Sequence, residues 1–324
     1  MPRAVVCREL GPPERLRLET FVTSPLKQGE VRIAVHAAGI NFPDILMAAG
    51  EYQLKPELPF TPGVEAAGDV IEVNGAASVA VGDRVIIKMR HGAYADEAVV
   101  TPSQLAPLPS TFDYAEGATF LAAHGTAYHA LIDRGQLQSG EVLLVHGAGG
   151  GVGLAAVEIG EFLGATVIAA ASSEEKLAVA QARGADHLVL YPREPFRDVV
   201  KRITDGRGAD VVFDPVGGEI FENSLRCIAW GARVLVVGFT GGIGLARTNL
   251  VLIKGASVLG VRAGEAVRKN PALGEVRMKA LSQWAEAGKV RPNISHRLPL
   301  EDYAQAMRLL IDRKAIGRVA LMMR

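Results

Sequence analysis

The sequence predicts an α/β protein in which a doubly wound parallel sheet is inserted into a second, mostly β domain. Three observations carry this. Residues 141–171, EVLLVHGAGGGVGLAAVEIGEFLGATVIAAA, read as a strand, a glycine turn, a helix and a second strand. The βα alternation continues to about residue 262, whereas residues 1–122 consist of short β-branched runs broken by turn signals. A last strand-like run, Arg318–Met322, follows two helical segments and predicts a return to the first domain. A chain of 324 residues exceeds the size at which one core usually stops growing. The expected boundaries are 1–122 for the β domain, 123–262 for the inserted domain, and 263–324 for a segment completing the first.

In the first domain the runs are Ala4–Cys7, Val31–His36, Ala67–Val73, Arg84–Ile87 and Ala95–Val100. Gly11-Pro12-Pro13, Pro62-Gly63, Asn74-Gly75 and Gly82-Asp83 separate them. Asn41–Ala49 reads as a short helix, followed by a proline-marked loop to Pro62. From Ala115 to Ala130 the pattern is helical. Val142–Val145 is continuously apolar, as a parallel strand covered on both faces requires. Thr166–Ala171 supplies the next strand. Helix 174–183 leads to strand 187–191, helix 196–204 to strand 210–215, and helix 219–230 to strand 233–239. Asn249–Lys254 and Ser257–Val261 close the series. In the tail, a helix over Glu275–Ala287 presents Val276, Leu281, Trp284 and Ala285 as an apolar face, and a helix over Glu301–Asp312 precedes the last strand.

The glycine turn holds Gly147, Gly149, Gly150, Gly151 and Gly153. The usual G-x-G-x-x-G spacing is not met from Gly147, because Val152 occupies its last position. Gly147, Gly150 and Gly153 recur at every third residue instead. The physical task is unchanged: a tight turn, a backbone that can approach a pyrophosphate, and a helix N-terminus aimed at it. A packing-only turn would look similar, but its place between two buried-type strands favours a dinucleotide site. No Gly-Lys-Ser/Thr follows, which argues against a phosphate-loop NTPase. The second strand ends Ala169-Ala170-Ala171 with no carboxylate at its tip to hold ribose hydroxyls. Ser172, Ser173 and Lys176 suit a 2′-phosphate and favour NADP(H) over NAD(H). Glu174 and Glu175 then read as first-turn residues favoured by the helix dipole, and Ser173 is equally a helix cap.

Formal net charge is zero, from 35 basic and 35 acidic residues, so no electrostatic argument supports nucleic acid or an anionic membrane as a partner. No long apolar run begins the chain or crosses it. Two distant cysteines, Cys7 and Cys227, fit a reducing, cytoplasmic setting and no disulfide framework.

Four ordered segments carry a resemblance that spans essentially the whole chain: AAGINFPDILMAAGEY at 37–52, PFTPGVEAAGDVIEV at 59–73, VLLVHGAGGGVG at 142–153 and ADVVFDPVGG at 209–218. The sequence resembles the medium-chain dehydrogenase/reductase superfamily, and within it the zinc-independent NADPH:quinone oxidoreductases, the zeta-crystallin-like group. The resemblance implies a GroES-like catalytic domain around a Rossmann domain, an active site in the cleft between domains, and dimers joined through the edge of the Rossmann sheet, here Ser257–Val261. Zinc-dependent members carry a catalytic cysteine where this chain has Ile40 or Asn41, and a histidine-glutamate pair where it has Val64-Glu65. No metal site is therefore expected.

Carried over residue by residue, the resemblance implies that Asn41 faces the nicotinamide end of the cleft, and a side-chain amide can donate to one group and accept from another. A helix cap is the alternative for Asn41, with Asp44 holding the local helix. Tyr52 is implied as a wall of the substrate pocket, able to stack on a flat acceptor or donate to a developing oxyanion, or else as a structural tyrosine. Thr126 matches a threonine against the nicotinamide, or bonds the preceding helical turn. His124 and His129 read more simply as core histidines than as acid–base groups. Tyr191 matches a tyrosine flanking the adenine and phosphate. Arg313 is implied to reach the same phosphate, with Lys314 and Arg318 as alternatives. Gly238, Phe239 and Thr240 lie on the ligand side of the sheet, where their backbone can hold the carboxamide. Asp214 and Val216-Gly217-Gly218 serve the fold and the ribose side.

The reaction so implied is hydride transfer from NADPH to a small electrophile, with the protein orienting the cofactor and supporting developing charge. A quinone is the first expectation as acceptor. An enone, a 2-alkenal, or acryloyl- or crotonyl-CoA is the alternative. Neither demands a strong protein acid, which fits the lack of an obvious dyad. A structural or RNA-binding NADPH module is a third reading, opposed by the neutral charge.

Overall fold

A parallel six-stranded sheet, a mostly antiparallel seven-stranded sheet and a small two-stranded one divide the described residues, 1–75 and 78–323 of this computed structural model. Residues 1–122 and 292–324 form one compact unit, and residues 123–291 form the other.

The first unit opens with strands β1 (Arg3–Val6) and β2 (Arg17–Thr20), which form an antiparallel pair. Strand β3 (Val31–Gly39) is nine residues of nearly uninterrupted buried side chains. Helix α1 (Phe42–Ala49) starts with Pro43 in its first turn and stops at Gly50, whose φ of 78° supplies the left-handed C-terminal turn. Strands β4 (Glu65–Val73), β5 (Arg84–Lys88), β6 (Glu97–Val100) and β7 (Leu105–Pro107) follow, then the short helix α2 (Tyr114–Ala118).

Helix α3 (Leu121–Tyr128) spans the boundary between the units at residue 122 and runs into a π-helical turn over 129–134. The single helix expected over 115–130 is therefore two, because the Thr119 hydroxyl donates to the Ala115 carbonyl and the backbone turns there. The repeat then runs β8 (Val142–Val145), α4 (Gly151–Phe162), β9 (Thr166–Ala171), α5 (Glu174–Ala182), β10 (His187–Leu190), α6 (Phe196–Ile203), β11 (Ala209–Asp214), α7 (Gly218–Ser224), β12 (Ile228–Val236), α8 (Thr248–Lys254), β13 (Ser257–Gly260), α9 (Ala263–Lys269) and α10 (Pro271–Glu286). These strands form one parallel sheet in the order β10-β9-β8-β11-β12-β13. That is the doubly wound order 3-2-1-4-5-6. Helix α7 ends at Ser224, short of the expected Trp230, since Ile228 already pairs with Ala209.

The chain returns to the first unit with β14 (Ile294–Pro299), helix α11 (Tyr303–Ile311) and β15 (Arg318–Met322). Strand β15 pairs antiparallel with β3, extending the sheet β14-β15-β3-β4-β5-β7, to which β6 adds by pairing with β3. The return therefore falls at 292, not 263. Helix α10 belongs with the parallel sheet because Trp284 packs on Tyr128 and Phe162 while Arg277 pairs with Asp133. Leu281 and Ala285 form its buried stripe, whereas Val276, expected there, is 63% exposed. No helix among the described residues is long and apolar enough to cross a membrane.

Candidate active site

In the parallel sheet the carboxyl ends of β8, β9 and β10 converge on the glycine turn. The Ala148 amide donates to the Ala170 carbonyl at 3.0 Å, and the Tyr191 amide to the Ala171 carbonyl at 3.1 Å. Gly147 has φ of 57°, and its carbonyl accepts from the Gly150 amide at 2.9 Å. A Cβ on Gly153 would collide with that carbonyl and sit 2.9 Å from Ala148 Cα, so helix and turn approach too closely for any other residue. The first amides of a helix lack intrahelical acceptors; here they belong to Gly151, Val152 and Gly153, and the N-cap Gly150 has no side chain to occupy them. The result is an anion cradle with a bare backbone, which fits a pyrophosphate.

The Lys176 stem crosses this turn: a Cβ on Gly149 would lie 2.5 Å from Lys176 Cβ. Ser173 is the N-cap of α5 and its hydroxyl accepts from the Lys176 amide at 3.4 Å, the cap geometry allowed for from sequence. Ser172 precedes it, exposed at the strand tip. On the other side of β8, the Asp214 carboxylate accepts from the Val216 and Gly217 amides at 2.8 and 2.9 Å and so fixes the turn after β11. The Thr240 hydroxyl donates to the Pro215 carbonyl, which ties the Gly238-Phe239-Thr240 segment after β12 to that turn. Phe239, Ile243 and Leu245 are 54%, 78% and 68% exposed, an apolar stretch beside it.

Tyr191 takes a more constrained position than sequence suggested. Its hydroxyl lies 2.9 Å from His146 Nδ1 and accepts from the Gly147 amide at 3.3 Å. His146 is fully buried, and sequence reading passed over it. The available signal was a polar residue closing the apolar run VLLV directly before the glycines. Thr126 is half-buried on α3. His124 bonds Glu158 at 2.9 Å, and Glu158 also holds Arg183. His129 bonds Asp133 at 2.7 Å, and burial pushes its imidazole below the usual range. Both are internally partnered, as core histidines are.

In the first unit, Asn41 is 5% exposed at the head of α1. Its Nδ2 donates to the Gly39 carbonyl at 3.2 Å and to Glu65 Oε1 at 3.0 Å. Its Oδ1 accepts from Arg318 Nη2 at 2.9 Å. Both donors are spent, so the expected dual role toward a substrate is corrected: one lone pair of Oδ1 is all that remains. Arg318 also donates to Glu65, whose other oxygen accepts from the Ala122 amide at 2.8 Å. This buried ion pair removes Arg318 from the candidates for a cofactor phosphate. Asp44 accepts from the Asn41 amide at 2.9 Å and the Tyr94 hydroxyl at 2.7 Å, locking the start of the helix. Burial pushes its carboxyl up to about 7, against those two bonds to its charged form. Tyr52 follows α1, half-buried against the core of this unit. Arg313 is exposed just past α11 in a left-handed conformation, φ 58°.

Comparison with known proteins matches residues 151–276 to a zinc-binding dehydrogenase family and residues 27–110 to the alcohol dehydrogenase GroES-like domain. Quinone oxidoreductase-like protein 2 homolog of Nematostella vectensis is 38% identical over 98% of this chain and 88% of its own length. The structure of a probable oxidoreductase from Mycobacterium abscessus superimposes with a TM-score of 0.91 at 35% identity, covering 99% of this chain and 98% of that one. Escherichia coli quinone oxidoreductase, solved in complex with NADPH, gives 0.91 at 27% identity over 99% and 100%.

Zinc does not fit this chain. Among the described residues no three His, Cys, Asp or Glu side chains group so as to hold a metal ion. Glu65, the surviving member of the zinc relatives' histidine-glutamate pair, is instead neutralised by Arg318. The parallel sheet with its glycine turn, the β-rich unit with its Asn41–Glu65–Arg318 cluster, and the full-length relatives agree: the chain belongs to the zinc-independent, quinone-oxidoreductase-like group of the medium-chain dehydrogenase/reductase superfamily.

Proposed function

We propose that this protein transfers a hydride from NADPH to a small electrophile without a metal, and that a quinone is the acceptor. The observation that carries the reading is the bare helix N-terminus at Gly150–Gly153 with the Lys176 stem laid across Gly149. One element supplies amides for a pyrophosphate and the other a cation for a 2′-phosphate. The NADPH complex of the Escherichia coli relative supports the same cofactor.

The nicotinamide supplies the hydride when bound; the chain's residues bind and orient. Gly147, Gly149, Gly150, Gly151, Val152 and Gly153 hold the pyrophosphate. Ser172, Ser173 and Lys176 hold the 2′-phosphate end, with Tyr191 beside the adenine and Arg313 contributing from the tail. Gly238, Phe239 and Thr240 hold the carboxamide, and Thr126 faces the nicotinamide. Tyr52 stacks on the acceptor or donates to its developing oxyanion. A hydroquinone anion takes its proton from solvent, so no protein acid is required.

The exposed apolar stretch Phe239, Ile243 and Leu245 favours a second reading, an enone or enoyl thioester whose chain lies along it. Offering a benzoquinone, a 2-enone and crotonyl-CoA in parallel with NADPH separates the two. Saturable turnover confined to the quinone supports the first, and faster turnover of the thioester replaces it with the second.

We also propose a homodimer joined at the open edge of the parallel sheet, β13. Trp230, Leu252 and Ile253 near that edge are 77%, 79% and 64% exposed, and an uncovered apolar edge needs a partner. The buried free thiols of Cys7 and Cys227 suit a cytoplasmic location, and the zero net charge argues against nucleic acid as a partner.

A further inference from the structure

One buried polar chain lies under the glycine turn. His146 is fully buried at the end of β8, with Phe196 edge-on at 4.7 Å. Its Nε2 is 2.8 Å from Ser224 Oγ, and that hydroxyl donates to the Ile220 carbonyl at 2.7 Å inside α7. Ser224 has one hydrogen and spends it on Ile220, so it accepts from His146. The imidazole is therefore the Nε2–H tautomer, and its Nδ1 is an acceptor. Tyr191 must then donate to Nδ1, which leaves the tyrosine oxygen to accept from the Gly147 amide. Every hydrogen has one destination: Gly147 N–H to Tyr191, Tyr191 O–H to His146, His146 N–H to Ser224, Ser224 O–H to Ile220.

We propose that His146 is a positioning residue for the dinucleotide site, fixing the first peptide of the glycine turn through Tyr191. The relay sets the plane of the His146–Gly147 peptide. Gly147 in turn presents its carbonyl to the Gly150 amide, and Gly150 is the N-cap of α4. The orientation of the helix amides thus depends on an imidazole they do not touch. The first two members of the relay, Gly147 and Tyr191, lie at the carboxyl ends of parallel strands, the edge where open α/β sheets bind ligands.

A residue that only filled space among β8, α6 and α7 would be apolar here. Burying an imidazole is favourable only with both nitrogens bonded, and the second bond is spent on the tyrosine that receives the turn's first amide. Burial also pushes the His146 imidazole down to about 3, so it stays neutral and keeps its acceptor nitrogen at any pH the enzyme meets.

The inference rests on the dinucleotide reading above, and its test uses both cofactors. Dissociation constants for NADPH and NADH are measured by calorimetry on His146→Phe, Tyr191→Phe and the double variant, well below their melting temperatures. Removing the relay is expected to weaken cofactor binding roughly ten-fold. The KM for the quinone should stay within about two-fold, and the double variant should be no weaker than His146→Phe alone, as one shared pathway requires. Tyr191→Phe removes one atom at a partly buried position and keeps the test open if His146→Phe does not fold. Cofactor affinity within two-fold of the wild type in Tyr191→Phe, or additive losses in the double variant, overturns the relay. Wild-type preference for NADH overturns the NADPH reading alone, since the relay is then read on NADH. Binding of neither cofactor sinks both.

Discussion

Replacing Arg318 by Met takes the cation away from a buried carboxylate, and its cost can be worked from the geometry. Glu65 is 1% exposed, and its side chain accepts from Arg318, from Asn41 Nδ2 and from the Ala122 amide. Breaking a buried pair by deleting one partner typically costs about 3–5 kcal/mol. Two neutral donors remain on Glu65, which places its loss near the lower bound. Asn41 Oδ1 also loses the Arg318 donor, which adds roughly 1 kcal/mol. The expected loss is therefore about 4 kcal/mol, felt in β3, β4 and β15. Both tryptophans, Trp230 and Trp284, lie in the other unit, so their fluorescence does not report this event. Hydrogen exchange of peptides covering 31–39 and 65–73 does. In the double variant Glu65→Gln, Arg318→Met neither member of the pair leaves an unpaired charge behind, and most of the loss is recovered. A single-variant loss below about 1 kcal/mol, or a double variant no better than the single one, refutes the argument that Arg318 neutralises this cluster.

Three further outcomes are expected. Lys176→Ala should lower kcat/KM with NADPH by roughly ten- to a hundred-fold while leaving NADH within a few-fold, read from nicotinamide absorbance; equal losses with both cofactors would contradict the phosphate assignment. Gly153→Ala should abolish dinucleotide binding in calorimetry, because its methyl meets the Gly147 carbonyl and Ala148 Cα, backbone that cannot yield without moving the turn. Asp44 has a folded-state pKa raised from 3.8 to about 7, so the folded form holds a proton the unfolded form releases, and stability declines as pH rises from about 4 to 7 and is flat above. Asp44→Asn should remove that slope, of the order of 4 kcal/mol at most, from exchange-derived stabilities of the first unit; parallel pH curves for the two proteins would disprove it.

The sequence made the parallel sheet legible because buried strands and glycine turns are local signals. Val142–Val145 and Thr166–Ala171 have the expected bounds, and the glycines at 147 and 153 meet constraints a side chain would violate, a left-handed φ of 57° at the first and the Gly147 carbonyl and Ala148 Cα at the second. What stayed hidden was non-local. Nothing near Asn41 shows that Glu65, 24 residues on, and Arg318, 277 residues on, will use up its amide. The periodicity of α10 marks Leu281 and Ala285 as buried without saying against what, and so the return to the first unit is misplaced at 263. His146 escaped for a third reason: its partners Tyr191 and Ser224 are 45 and 78 residues away, and the glycines beside it carried the more obvious signal.

Initial rates with NADPH and with NADH, using a benzoquinone as acceptor and a chelator present throughout, test the central claim most directly. A kcat/KM ratio of roughly ten or more in favour of NADPH, unchanged by the chelator, is the predicted result. Preference for NADH, or activity lost to the chelator and restored by zinc, would contradict it.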